Sequence, residues 1–386
     1  MADVIIAGIG QTPVGEHWEI GLRDLALAAI DEALRDSDDL RPQALFVGNM
    51  LSPNLSNQAH LGALLADYAG LGGIEAVTTE AAGASGGAAL RQGYLAVASG
   101  MIDVALVVGV EKFTDRVGPD VEAAVSTAGD SDFEAVQGLT PTAQAALLIR
   151  RYIHEFNVPP AGFAGFAMTA HANAAGNPNA MYRKPIKLEM YSQSPTVSPP
   201  LNQYDIAPNA DGAAAVVLTR PELLHGTSRR SRVRIAGSAA AADTLTLHDR
   251  KDVLNFECCA ISTTRALKKA GLTIRDINFF EYHDSYSVFA ALALESAGLA
   301  ERGCGWHLAA DGEISLKGRI PTATMGGLKG RGFAGGATGV YQAVEATLQL
   351  QGRAGPNQLD QANRALIQSM GGPASTVISH ILEKVD

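Results

Sequence analysis

Thr78-Thr79-Glu80-Ala81-Ala82-Gly83-Ala84-Ser85-Gly86-Gly87-Ala88-Ala89-Leu90 is the stretch that decides the architecture. A β-prone end runs into a cluster of very small residues, and apolar residues then recur at helical spacing over 86–99. It reads as strand, tight turn, helix. The same alternation extends outward, with strands at 4–7, 44–47, 76–79 and 104–110 and helices at 22–35 and 60–69. Over 114–208 the rhythm breaks: one clear helix at 142–156, then a stretch rich in Pro, Asn and Ser over 176–208. A long excursion of this kind is usually functional, so it reads as a loop domain over a site. After a strand at 213–218 the pattern restarts, with strands at 233–236, 277–282, 365–369 and 376–381 and helices at 256–270, 286–297 and 338–351. The alternation predicts a mostly parallel sheet covered on both faces. Two halves with one rhythm suggest an internal duplication. The expected division is 1–113 with 209–231, 114–208, and 232–386.

The chain has 386 residues, 47% of them hydrophobic, enough for a large core and two or three domains. Its 41 glycines suit tight βα turns and close helix packing. With 30 basic and 40 acidic residues the net charge is −10, which argues against a general nucleic-acid binder. An anionic ligand would need local positive charge, for which the candidates are Arg183-Lys184-Pro185-Ile186-Lys187 and Arg229-Arg230-Ser231-Arg232-Val233-Arg234. Either run reads equally as solvated surface. Three cysteines, two adjacent, make no disulfide framework, and no Cys-x-x-Cys or Cys/His cluster suggests a metal. The N-terminus lacks the basic and apolar regions of a signal peptide, no run is long enough to span a bilayer, and Leu382-Glu383-Lys384-Val385-Asp386 is no peroxisomal address. The expectation is a soluble, cytoplasmic protein.

Gly83-Ala84-Ser85-Gly86-Gly87 matches the Gly-x-Ser-x-Gly elbow of hydrolases, in which case Ser85, Asp284 and His380 form a triad; otherwise Ser85 caps the helix. Gly8-Ile9-Gly10 lacks the third glycine of a dinucleotide fingerprint. Other segments stand out: Val107-Val108-Gly109-Val110-Glu111-Lys112, Leu201-Asn202-Gln203-Tyr204-Asp205, Asp211-Gly212-Ala213-Ala214-Ala215, Glu281-Tyr282-His283-Asp284-Ser285-Tyr286, the glycine-rich run 326–339, and Ser369-Met370-Gly371-Gly372.

With the opening stretch, and in this order, these segments resemble the thiolases, especially the sterol-carrier and archaeal types, over essentially the whole chain. The resemblance implies a thiolase-like, duplicated α/β layered fold with an inserted loop domain. It also implies a coenzyme A thioester as substrate, no covalently bound cofactor, acyl-CoA and lipid metabolism, and a homodimer or tetramer. The family's nucleophilic cysteine falls on Gly83, the cysteine of its His-Asp-Cys-Phe segment on Ser285, the histidine of Gly-His-Pro on Phe333, and the final cysteine on Ser369. Of the reactive set His283 remains. A thiolate attacks a thioester because sulfur is both nucleophilic and a good leaving group, whereas a serine hydroxyl needs an adjacent base. Covalent acyl transfer is therefore not expected, although acyltransferase is the activity the family implies. A branch of thiolase-like steroid side-chain aldolases is similar, with glycine at the cysteine position, tyrosines for proton transfer and an OB-fold or zinc-ribbon partner. Tyr286 matches that role; Phe333 departs from the tyrosine expected there. The resemblance thus implies Gly83, His283, Ser285, Tyr286 and Ser369 as the catalytic set, with Arg183, Lys184, Phe333 and Gly336 toward coenzyme A. The activity expected is non-covalent aldol or retro-aldol chemistry, the alternative being a catalytically silent acyl-CoA-binding subunit. His283 reads otherwise as a satisfied buried histidine, Tyr286 as packing, and Phe333 as the wall of an acyl pocket.

Overall fold

The structure is a computed structural model that describes residues 3–38, 40–159, 161–224 and 231–385. Among the described residues eleven strands run in chain order: β1 Ile5–Gln11, β2 Ala44–Gly48, β3 Glu75–Thr79, β4 Val104–Glu111, β5 Thr196–Ser198, β6 Leu201–Asn202, β7 Gly212–Thr219, β8 Arg232–Ala242, β9 Phe279–Glu281, β10 Arg364–Gly371 and β11 Thr376–Val385. Nine of them join in the order β3-β2-β4-β7-β1-β8-β11-β10-β9, and β5 with β6 makes a separate small hairpin.

That order carries the duplication. β2-β4-β7-β1 and β9-β10-β11-β8 are the same succession, met head to head where β1 pairs antiparallel with β8. The pairings match as well: β2·β4 and β9·β10 are parallel, β4·β7 and β10·β11 antiparallel, β1·β7 and β8·β11 antiparallel. The sheet is mixed, not mostly parallel as the alternation predicted. In the first half the reason is the excursion, which leaves at Glu111 and returns at Gly212, directly opposite in the ladder, so β7 must run back along β4. In the second half β10 and β11 form a tight hairpin closed at Gly371 and Thr376.

Both faces are covered, and the alternation in β4 and β7 shows how. Leu106, Val108, Ala215 and Val217 pack toward the outer helix Leu22–Asp36, while Val107, Ala214, Val216 and Leu218 pack toward the central helices Ser85–Ser99 and Thr338–Leu350. On the other half, the helix Glu257–Ala270 covers β8 and β11. The central helices cross where side chains vanish: a Cβ on Gly339 would stand 2.2 Å from the Gly87 amide nitrogen.

The excursion holds more helix than the sequence rhythm suggests. Besides Pro141–Phe156 it contains Pro119–Ser126, Ala164–Ala174 and Leu188–Ser192. Ala164–Ala174 is buried along most of its length, so it lacks the polar stripe by which a helix is recognised. No helix among the described residues is long and apolar enough to cross a membrane.

Candidate active site

The strand ends at Glu111, Glu281 and Gly371, the starts of both central helices, and the returning excursion meet at one end of the molecule. They enclose a cavity of about 900 Å³, within the range that takes a small-molecule ligand. Gly83, His283, Ser285, Phe333 and Met370 line it, with Thr142, Gln144 and Tyr286 beside them, and His171, Tyr204, Lys329, Arg183 and Lys184 elsewhere on the wall.

Gly83 sits in the one-turn helix Ala82–Ala84 that leads into Ser85–Ser99. A Cβ there would lie 2.6 Å from the carbonyl oxygen of Met370 and 3.1 Å from Cε1 of His283. The place of a side chain is filled by backbone and imidazole. Within the turn, Ala84 N donates to Ala81 O and Ser85 N to Ala82 O. Of this turn, only Gly83 reaches the cavity.

His283 follows β9 and is 3% exposed. Burial first, and the charge of Arg331 second, push its pKa down to about 3, so the ring is neutral near pH 7. Its Nδ1 has no hydrogen-bond partner. We assign the proton to Nε2, because an unpartnered acceptor is a smaller loss than an unpartnered N–H. This turns a donor toward the Gly83 corner, where the Nε2 atom stands 3.5 Å from the Cβ position. Phe333 meets the ring edge to face at 5.7 Å.

Two residues on, Ser285 lines the cavity with no basic group hydrogen-bonded to its hydroxyl among the described residues. Tyr286 hydrogen-bonds Thr142 Oγ1 at 3.1 Å, and burial raises its phenol to about 12, so it stays protonated. Its ring packs edge-on against Phe289 at 5.0 Å.

Two expected site residues are elsewhere. Ser369 does not line the cavity: its Oγ faces the Gly87 backbone, 2.1 Å from where a Cβ there would stand. Successive strand residues point to opposite faces, so its neighbour Met370 takes the cavity face. Gly336 is also off the wall; its amide donates to Glu111 Oε2 at 2.8 Å. Arg183 and Lys184 are exposed on the cavity wall. In the second basic run Arg229 and Arg230 lie outside the described residues, and Arg234 is held by Glu383 at 2.5 Å.

The hydrolase elbow is ruled out by its hydrogen bonds. Ser85 Oγ donates to Ala82 O at 2.6 Å and accepts from Ala81 N at 2.9 Å, His380 Nε2 meets Gly87 O at 3.1 Å, and Asp284 Oδ1 accepts from Leu328 N at 2.7 Å. None of the three bonds another. Nor does Ser85 cap the helix: it is the first helical residue and ties the preceding turn.

Sequence reasoning missed Met370, Gln144, His171, Tyr204 and Lys329 on this wall. Lys329 had a signal, being the cation inside the glycine-rich run. Its ammonium donates to the carbonyl of Asp205 at 2.5 Å, and burial pulls its pKa down to about 8. Gln144 and His171 had none, since each looks like an ordinary helix residue. No cysteine lines the cavity: Cys258 and Cys259 are buried elsewhere, Cys304 is half-buried, and burial pushes the Cys258 thiol up to about 11.

The chain matches the thiolase N-terminal domain profile over residues 4–222 and the thiolase C-terminal domain-like profile over residues 239–384. It is 38% identical over 388 residues to an acetyl-CoA acetyltransferase of Methanothermobacter thermautotrophicus, covering 100% of both chains. It is 27% identical to a steroid side-chain-cleaving aldolase of Thermomonospora curvata, over 97% of this chain and 96% of that one. Among solved structures, an Ltp2-ChsH2(DUF35) aldolase superposes with a TM-score of 0.84 at 23% identity, covering 99% of this chain and 98% of that one. Matched by the two domain profiles over most of its length, this chain belongs to the thiolase family.

Proposed function

We propose that this protein performs non-covalent carbon–carbon chemistry on a coenzyme A thioester, cleaving or forming a β-hydroxyacyl-CoA. The observation that carries the reading is the filled corner at Gly83, where Met370 O and His283 occupy the space of a nucleophile's side chain. In the cleavage direction the β-hydroxyl gives up its proton, its oxygen becomes a carbonyl, and the Cα–Cβ electron pair passes to the α-carbon as a thioester enolate. The neutral His283 Nε2–H hydrogen-bonds that enolate oxygen. Tyr286, protonated and coupled to Thr142, gives its phenol proton to the α-carbon as it takes up the β-hydroxyl proton, which regenerates the phenol and releases a shortened acyl-CoA and an aldehyde or ketone. No electron is gained or lost. Arg183 and Lys184 meet the coenzyme's phosphates, and Phe333 walls the reacting carbons.

The partner belongs to the same proposal. The solved neighbour is an aldolase together with a ChsH2(DUF35) protein, and a partner protein of that kind is proposed for this chain. Self-association is proposed on the edge strand β3, whose Glu75, Val77 and Thr78 are exposed.

The test is incubation with β-hydroxyacyl-CoA, alone and with such a partner, scoring released acyl-CoA and carbonyl product. Turnover in the native protein, reduced roughly 10²-fold in Tyr286→Phe, is the expected result. Absence of product under both conditions ends the reading. A second reading, acyl transfer, is favoured by the 38% identity to an acetyl-CoA acetyltransferase. Thiolysis of β-ketoacyl-CoA that is abolished by thiol alkylation, with an acyl adduct trapped on the chain, would establish it instead.

A further inference from the structure

The proposed reaction leaves several polar groups on the cavity wall without a task, a buried amide among them. Gln144, on the helix Pro141–Phe156, is 4% exposed and lines the cavity. Its side-chain amide hydrogen-bonds no described residue, yet neither of its polar atoms is sealed away, so the amide opens into the cavity. Val125, Ala128, Phe289 and Pro373 give the same cavity apolar surface. The nearby carboxylate of Glu134 is already engaged, accepting from the amides of Asp130 at 3.0 Å and Leu247 at 3.2 Å.

Gln144 stands apart from the reacting corner. A Cβ on Gly129 would be 3.7 Å from its Nε2, whereas the atoms nearest a Cβ on Gly83 belong to Met370 and His283. The floor between them is the end of β10. Gly371 packs against Ala81 O on the Gly83 side, and the Cβ position of Gly372 is 3.9 Å from Ala128 O on the other.

An all-hydrocarbon acyl group in this chamber would strip water from the amide and return nothing, which penalises binding. An acyl group with an oxygen at that point restores the bond, and sites built this way discriminate strongly against the analogue lacking it. An amide donates to a carbonyl and accepts from a hydroxyl. With Glu122 on the wall and Glu134 behind Gly129, a neutral oxygen is favoured over a carboxylate. We propose that Gln144 is a specificity-determining residue, selecting acyl groups that carry a keto or hydroxyl oxygen beyond the thioester and the reacting β-carbon. The inference rests on the coenzyme A thioester reading and names its substrate class.

Calorimetric binding of 4-oxopentanoyl-CoA and 5-oxohexanoyl-CoA, each against pentanoyl-CoA and hexanoyl-CoA, tests it in the full-length native protein and in Gln144→Leu. The oxo esters should bind at least about tenfold more tightly to the native protein. Gln144→Leu should erase that ratio and leave the plain esters bound as well or better. Equal affinities in the native protein, or a uniform loss for all four esters in Gln144→Leu, overturn the assignment. Retro-aldol turnover is scored separately. Its absence beside an intact binding ratio sinks only the reaction, whereas turnover without a ratio sinks only Gln144.

Discussion

The two halves repeat one unit, a one-turn helix of small residues leading into a central helix, and use it for opposite ends. In the first half the turn is Ala82–Ala84, and Gly83 opens onto the cavity beside His283. In the second it is Gly335–Ala337, and the corner is locked. Glu111 receives the Gly336 amide at 2.8 Å, the Met50 amide at 2.9 Å, the Leu51 amide at 3.1 Å and Asn49 Nδ2 at 2.9 Å. A buried carboxylate with four donors is a staple. Duplication supplied the scaffold twice; what stands opposite each turn, an imidazole or a carboxylate, decides which becomes a site.

Breaking the corner at Gly83 should have the largest effect. His283→Ala removes the assigned enolate donor and should lower kcat for retro-aldol cleavage by roughly 10²–10³-fold with thermal stability little changed. A fall in stability with kcat per folded molecule retained would make His283 a packing residue. The closed corner is next. Glu111→Gln sets an NH₂ against backbone amides and should cost about 2–3 kcal/mol in a urea titration, while His283 keeps its place at the cavity. A variant as stable as the parent would refute the staple.

Gly83→Cys sharpens the comparison from the other side. Its Cβ meets a backbone carbonyl at 2.6 Å, so overpacking should cost about 1–3 kcal/mol, and no β-ketothiolysis should appear. An undestabilised, thiolytic variant would show the corner to be open after all.

The smallest effect is in pH. The folded pKa of His283, about 3, lies below its ordinary 6.5, so the unfolded chain binds more protons between these values and stability falls as pH drops through that window. His380, pushed down to about 4 by burial, adds to the same trend. Glu111, raised to about 7 by burial, has the opposite sign: its contribution falls as pH rises from 4.5 to 7. Urea midpoints against pH for His283→Asn should therefore show a shallower acid limb than the parent. Superimposable limbs would mean that the imidazole is not held neutral by the fold.

Much of this was legible in the residues. Strand and helix periods located most of the sheet and both central helices, because half-buried elements write their burial into the order of side chains. The ordered segments gave the family, and Gly83, His283, Ser285, Tyr286 and Phe333 do line one cavity. The helix Ala164–Ala174 stayed hidden, since an element buried nearly all round has no contrast between faces. Ser369 was placed one residue away from the cavity face, because in a strand a single step reverses which side chain looks inward.

The amino-acid order alone determined the repeated α/β plan, the excursion within its first half and the turn of small residues around Gly83. Those are properties of spacing and residue type, which local sterics and hydrophobic periodicity translate directly. Only the tertiary structure decided that the corner at Gly83 is filled, that its twin is bolted to Glu111, and that Gln144 faces the cavity unpaired. Each depends on atoms brought together from distant parts of the chain, and nothing in the linear order states those distances.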